Sequence, residues 1–296
     1  LGLVSLFTDI ASEMVYTQMP IFLKEVLHAP VLVIGLIEGI AESASSLLKV
    51  VSGWFSDRLG RRKPLAAVGY AFGALSKPLM ALAGGWQTVL GLRVLDRIGK
   101  GLRTAPRDAL ITESTPKEHR GAAFGLHRTM DTTGAVLGPL LGLGFLSLFS
   151  GSTETKLRGL FVFAGVFGLV ATLTILLAVP KETTPPPSNP KPLSKESFSL
   201  LLQWRTLPST YRQFLWIALL FNIGNSSDAF LILRAQSLGF APTELLWLYA
   251  AFNVVEAVFG IVAGRLSDRA GRLPLIITGY FVFACVYGGM AIAGNR

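Results

Sequence analysis

Residues 53–62 read GWFSDRLGRR, and residues 264–272 read GRLSDRAGR. Each stretch joins two apolar segments, and the residues that the two copies share stand 211 positions apart. They are Gly53, Ser56, Asp57, Arg58, Gly60 and Arg61 in the first copy, and Gly264, Ser267, Asp268, Arg269, Gly271 and Arg272 in the second. Small glycines allow helices to approach closely, aspartate can cap a helix N-terminus, and arginine anchors at lipid headgroups. A motif repeated at corresponding places, in what we read as short loops, indicates two related halves.

The composition is that of an integral membrane protein. Of the 296 residues, 51% are hydrophobic and only 15% are charged, and the mean hydropathy is +0.53. Apolar residues come in blocks of about 20, the length of a helix that crosses the hydrocarbon core. The net charge of +9 comes mostly from Lys and Arg in short loops, which indicates membrane topology rather than nucleic-acid binding. Because the sequence has no HExxH, GxSxG or P-loop motif, we expect neither an enzyme nor a metal site.

The apolar blocks predict nine transmembrane helices with one long polar interruption. They lie near 1–23, 32–55, 65–84, 86–108, 120–148, 158–180, 212–233, 243–264 and 273–293. The interruption is rich in Pro, Ser and charge and is unsuited to a spanning helix. We therefore predict an N-terminal six-helix transmembrane bundle (1–180), a cytoplasmic linker (181–211) and a partial C-terminal bundle of helices 7–9 (212–296). Because Lys and Arg mark cytoplasmic loops, both repeat copies and the N-terminus are also predicted to be cytoplasmic.

These motifs resemble those of the major facilitator superfamily (MFS). The repeat resembles its signature loop, which occurs twice because its members have two related six-helix bundles. Arg97-Ile-Gly-Lys-Gly101 is similar to an Arg-x-x-x-Gly motif whose arginine is implicated in proton coupling, with Lys100 in place of the usual Gln. Gly134, Gly138, Pro139 and Gly142 resemble the Gly-Pro motif of its antiporter branches, with Leu143 in place of a closing Gly. The resemblance implies the MFS fold without its last three helices.

The resemblance also implies a function. We expect a secondary active transporter that moves a small-molecule solute by alternating access, with proton-coupled efflux (antiport) as the first choice. The alternatives are a proton-coupled uptake symporter and an MFS-like receptor or sensor that does not transport. We expect a monomer in a bacterial inner membrane, with the lipid bilayer and the solute as its partners, the proton as coupling ion and no other cofactor. By the same resemblance, the aspartate of each repeat copy is expected to cap a helix of the opposite half and so to hold the outward-open conformation together.

Ionisable residues inside the predicted helices are the candidate functional groups. Each costs roughly 2.5–3.5 kcal/mol near the bilayer centre, so its presence requires a partner or a function. Away from their ends, helices 1, 2, 4 and 5 carry six acids and six bases. This balance predicts a mutually paired network, although some pairs could merely hold helices together. The acids are Asp9, Glu13, Glu38, Glu42, Asp96 and Asp131, and the bases are Lys49, Arg93, Arg97, Lys100, Arg103 and Arg128. In helix 7, Asn222, Asn225 and Asp228 are predicted to line a cavity.

The coupling site is predicted among the groups nearest mid-membrane. Glu13, Glu42 or Asp131 is expected to carry the proton, and Arg97 to tune its affinity. Burial strengthens proton binding by a carboxyl group, whereas a nearby arginine weakens it. Movement of Arg97 between conformations would therefore load and release the proton.

Overall fold

In the computed structural model, described for residues 1–59, 62–180, 207–225, 227–270 and 272–292, all regular structure is helical. This confirms the predicted all-α class. The helices are α1 (Gly2–Tyr16), α2 (Val31–Leu59), α3 (Arg62–Met80), α4 (Trp86–Ser114), α5 (Arg120–Leu148), α6 (Thr153–Ala178), α7 (Ser209–Gly224), α8 (Asp228–Ser237), α9 (Pro242–Ala270) and α10 (Arg272–Ile292).

Two of the predicted segments are broken in the structure. The first ends as α1 at Tyr16 and resumes as one short turn, Met19–Ile21, followed by a π-helix, Phe22–Val26. Pro20 explains the break, because proline lacks an N–H and its ring clashes with the carbonyl four residues earlier, that of Tyr16. The seventh segment forms α7 and α8, and the Oγ of Ser227 caps α8 by accepting a hydrogen bond from the amide of Ala229.

The interpretation of the repeat copies as loops is wrong for most of their length. α2 continues to Leu59 and α9 to Ala270, so both aspartates of the repeat lie in the last turns of helices. The side chains of these turns, and the whole of residues 60, 61 and 271, lie outside the described part of the structure. The prediction that the repeat aspartates cap opposing helices therefore remains a prediction. α7 begins at Ser209 after Pro208, slightly inside the predicted linker, and residues 181–206 are not described.

Among the described residues, five stretches are long and apolar enough to cross a membrane. They are Val31–Gly53, Ala123–Leu148, Thr153–Ala178, Ser209–Ser237 and Leu273–Met290. α1 has only 15 residues, and α4 carries many charged side chains, so composition alone does not mark either one as a span. The number of nine transmembrane helices remains a prediction.

Glycines allow the helices of the first half to pack closely. α4 packs against α2 and α3, and α1 packs against α5 and α6. A Cβ on Gly99 would lie 2.5 Å from the carbonyl oxygen of Gly69, and a Cβ on Gly101 would lie 2.9 Å from that of Ser45. The glycines in the Arg97–Gly101 motif are therefore contact points of α4 with its two neighbours.

The glycines of the Gly-Pro motif likewise allow α5 to pack closely against α1. A Cβ on Gly134 would lie 2.6 Å from the carbonyl oxygen of Leu6, and a Cβ on Gly138 would lie 2.8 Å from that of Ile10. Only a residue without a side chain permits these approaches. The motif therefore fixes α1, and the acids that it carries, against α5.

Candidate functional site: a charged cluster facing the interface between the halves

Four charged side chains of α2, α3 and α4 form a buried cluster. The guanidinium of Arg93 donates two hydrogen bonds to Glu38, from Nε to Oε1 at 2.9 Å and from Nη2 to Oε2 at 3.0 Å. Its Nη1 lies 3.7 Å from Oδ2 of Asp96, whose Oδ1 accepts a hydrogen bond from Nζ of Lys77 at 3.1 Å. The exposed fraction of these side chains is 3–12%. Two acids and two bases therefore satisfy one another within the bundle.

A second ion pair lies one helical turn further along both α2 and α4. Arg97 Nε is 3.6 Å from Oε2 of Glu42, and the Glu42 side chain is 55% exposed. Lys100, partly buried, interacts electrostatically with both members of this pair. The charged side chains of α4 thus continue from the buried cluster to an ion pair with the exposed carboxylate of Glu42.

The acids of α1 face the glycines of α5 and the charges of α4. A Cβ on Gly134 would lie 2.9 Å from Cβ of Asp9, and a Cβ on Gly138 would lie 3.1 Å from Cβ of Glu13. Glu13 lies within electrostatic reach of three basic side chains of α4. These are Lys100, Arg97 and Arg93.

Asp9 and Asp131 lie near each other where α1 packs on α5. Asp131 accepts a hydrogen bond from the hydroxyl of Ser5, and its Oδ1 lies 3.6 Å from Nε2 of the buried His127. Asp131 is thus surrounded by polar groups of both helices. Asp131 therefore lies at the contact between α1 and α5, apart from the ion pairs of α2 and α4.

Hydrogen bonds connect the first half to α8 and α9 of the second. The hydroxyl of Tyr249 donates to Oε2 of Glu13 at 3.0 Å, and the ring of Tyr249 lies 6.0 Å from that of Tyr16. Nε2 of Gln18 donates to the carbonyl oxygen of Pro242 at 3.2 Å. A candidate coupling acid therefore contacts the opposite half directly.

The two halves meet along the first turns of α9. Leu245, Leu246 and Ala250 in these turns are buried. Leu246 approaches α5 at Gly142, where an added Cβ would lie 3.7 Å from the leucine side chain. The two halves are thus in contact at the Pro242 end of α9.

Some of the predicted residues lie away from this cluster or beyond the described side chains. Arg128 on α5 and Asn222 and Asn225 on or next to α7 are exposed. The side chains of Asp228 and of the repeat residues Asp57, Arg58, Gly264, Asp268, Arg269 and Arg272 are not described. Among the described residues, no group of His, Cys, Asp and Glu is suited to hold a metal ion.

Sequence reasoning missed several members of the site. Lys77 belongs to the buried cluster, although the six-to-six charge balance left it out. The guanidinium of Arg103, one of the predicted bases, lies 4.8 Å from the ring centroid of Tyr70, a cation–π contact that the sequence did not indicate. Tyr16 and Tyr249 were also missed, and the only signal for Tyr16 was its position three residues after Glu13, on the same helix face.

A helical membrane bundle with paired charges among apolar helices and a contact surface between two halves has the architecture of a solute transporter. The sequence model of the Major Facilitator Superfamily matches residues 1–296, so the chain belongs to this superfamily. Its members are transporters rather than enzymes, which confirms that expectation.

Individual relatives agree with this assignment. A protein of Methanocaldococcus jannaschii, named an uncharacterized MFS-type transporter, is 34% identical over 98% of this chain and 71% of its own length. The multi-drug resistance efflux pump PmrA of Streptococcus pneumoniae is 27% identical over 86% of this chain and 61% of its own. The chain thus spans 60–71% of the length of the proteins compared here.

A solved structure supports the fold. The crystal structure of a bacterial homolog to the human lysosomal transporter Spinster, in an inward-facing and occupied conformation, matches with a TM-score of 0.70. The match has 19% sequence identity and covers 90% of this chain and 60% of that one. At this identity the similarity concerns the fold alone, which agrees with the predicted MFS architecture.

Proposed function

We propose that the full-length protein is a proton-coupled secondary transporter that exports a small-molecule solute by antiport. The observation that carries the proposal is the position of Glu13. Its carboxyl group faces the basic side chains of α4 and hydrogen-bonds Tyr249 of the opposite half. A group placed there can respond both to a proton and to the relative movement of the halves. Efflux is favoured over uptake by the Gly-Pro motif of α5 and by the similarity to an efflux pump.

Proton-coupled uptake uses the same site and differs only in the direction of the solute. A receptor that binds without transport has no use for an ionisable group shared between separable halves. In this proposal the protein is a monomer in a bacterial inner membrane, with the proton as coupling ion, no other cofactor and no nucleic-acid partner. The Lys- and Arg-rich ends of α2 and α9 face the cytoplasm. The Pro242 end, where the halves are in contact, then faces outward.

The orientation predicts a labelling pattern in intact cells. After Cys285 is replaced by serine, a Ser152→Cys variant should react readily with a membrane-impermeant thiol reagent. A Ser188→Cys variant, in the linker, should react only after the membrane is permeabilised. The positive charge of the linker and of the adjoining loops is the physical reason. The reverse pattern would show that the orientation is inverted.

Neutralisation of the coupling acid tests the function itself. A thermal-shift screen of the full-length protein, run at two pH values, first identifies a solute that stabilises the folded state. Glu13→Gln, Glu42→Gln and Asp131→Asn are then compared in proteoliposomes, with each flux corrected for protein content. The coupling acid should be needed for transport driven by a pH gradient but not for exchange of solute for solute, since exchange needs no net proton movement. If the solute binds to the wild type but is never moved, the protein is a receptor.

A further inference from the structure

Glu13 and Tyr249 form a polar contact between the halves, beside a second tyrosine. The Tyr249 hydroxyl donates to Oε2 of Glu13 at 3.0 Å, and Tyr16, next to Tyr249, lies almost one turn beyond Glu13 on α1. The guanidinium of Arg93 lies 5.4 Å from the ring centroid of Tyr16. The carboxyl group therefore bonds to a side chain that moves with the other half whenever the halves separate.

The depth of this contact sets it apart from the other contacts of α9. Pro242, Leu246 and Tyr249 lie on successive turns of α9 and contact Gln18, Gly142 and Glu13, respectively. Tyr249 is thus the last of these three contacts, counted from the Pro242 end. Separation of the closed end must break its hydrogen bond to Glu13.

We propose that the Tyr249 hydroxyl acts as a latch that holds the unloaded protein closed at the Pro242 end while Glu13 is deprotonated. A carboxylate accepts a hydrogen bond about twice as strongly as a neutral group does. Protonation of Glu13 therefore weakens the latch, and deprotonation strengthens it. The inference rests on the proposed function, in which Glu13 carries the coupling proton.

The surroundings of Glu13 allow this response. Three basic side chains face it from α4, and Asp9 is the acidic group near it on α1. From α5, the nearest contact is the backbone at Gly138, and Asp131 lies further along, beside Asp9. Tyr249 is the group that reaches Glu13 from α9. Glu13 thus has cationic side chains of α4 on one side and the hydroxyl of Tyr249 on the other.

The latch helps to couple the movement of the proton to that of the solute, because it opposes conformational change of the empty protein. An antiporter that changed conformation with neither proton nor solute bound would dissipate the proton gradient. The hydrogen bond between deprotonated Glu13 and Tyr249 stabilises the conformation that is closed at the outer end. The empty protein therefore stays in this conformation until a proton or a solute breaks the bond. Tyr249 is in this sense a positioning residue, because it acts through Glu13 and through the spacing of the halves.

The test measures the separation of the halves and needs no solute. In the full-length protein with Cys285 and any other native cysteine replaced by serine, spin labels are attached at Ser150→Cys and Ser237→Cys. These are exposed positions on the two halves near the Pro242 end. In Tyr249→Phe, the ratio of the long-distance to the short-distance population at alkaline pH should rise about tenfold. A tenfold change corresponds to about 1.4 kcal/mol, near the lower end of the free energy of a hydrogen bond to a charged group. Tyr280→Phe is the matched control, because that ring stacks on Phe221 away from this contact.

Two further comparisons complete the test. Acidification should raise the long-distance population of the wild type more than that of Tyr249→Phe. In a Glu13→Gln background, Tyr249→Phe should add less than it does alone, since both changes act on one bond. The proposal is overturned if Tyr249→Phe has the same population ratio as Tyr280→Phe. It is also overturned if Tyr249→Phe changes this ratio by the same factor with and without Glu13→Gln. If Glu13→Gln instead keeps gradient-driven transport, the proposed coupling role fails, and the distance measurement still decides whether the latch exists.

Discussion

Asp96→Asn is expected to lower the free energy of unfolding of the full-length protein by about 3–5 kcal/mol. Asp96 accepts a hydrogen bond from Lys77 and lies beside Arg93 in a cluster that is almost completely buried. Asparagine keeps the shape but removes the charge, so two cations remain with only Glu38 to balance them. The loss would be measured by reversible unfolding in mixed detergent micelles.

A control and a rescue make the result specific. Glu154→Gln neutralises the acid of an exposed pair with Arg158 and should cost no more than about 1 kcal/mol. Asp96→Leu combined with Lys77→Met removes a matched acid and base and leaves Arg93 bonded to Glu38. It should recover much of the lost stability, because a buried ion pair can often be replaced by apolar side chains. If Asp96→Asn costs no more than Glu154→Gln, the buried cluster does not stabilise the first half.

Gly134→Val is expected to prevent the correct packing of α1 on α5. The expected cost is about 3 kcal/mol or more, at or beyond the top of the usual range for overpacking. A Cβ on this glycine would lie 2.6 Å from the carbonyl oxygen of Leu6 and 2.9 Å from Cβ of Asp9. Neither the backbone nor a Cβ can turn aside as the end of a flexible side chain can. We expect little folded protein in the membrane, measured as the monodisperse fraction after detergent extraction.

Gly144→Val is the matched control for this change. Gly144 belongs to the same helix, and no atom would lie within 4 Å of an added Cβ. The helix propensity of valine acts equally in both variants, so their difference isolates the contact with α1. Equal yields of folded Gly134→Val and Gly144→Val protein would contradict the assignment of the Gly-Pro motif to the packing of α1.

Much of the fold could be predicted because bilayer physics leaves a simple signal in the sequence. A span needs about 20 apolar residues, so most helices were placed with only their ends displaced. Pro20 was expected to kink or end a helix, but the segment near 1–23 was still predicted as one span, because hydropathy does not report a missing N–H. The extension of α2 to Leu59 was missed because a charged, glycine-containing stretch suggests a loop although it can form the last turn of a helix.

The site could be predicted in part for a related reason. Buried charges need partners, and Glu38, Glu42, Arg93, Asp96 and Arg97 do meet as charge counting indicated. A count of charges cannot show which acid pairs with which base, and the count of helices 1, 2, 4 and 5 omitted Lys77 of α3. The contact of Tyr249 with Glu13 joins residues 236 positions apart. A tyrosine that faces another helix carries no pattern that separates it from a tyrosine that faces lipid.

The central claim is that Glu13 couples a proton to solute movement between two separable halves. The measurement that tests it most directly compares Glu13→Gln with the wild type in proteoliposomes, for transport driven by a pH gradient and for exchange of solute for solute. The account predicts that Glu13→Gln loses the gradient-driven transport and keeps the exchange near the wild-type rate. Full gradient-driven transport by Glu13→Gln would contradict the claim.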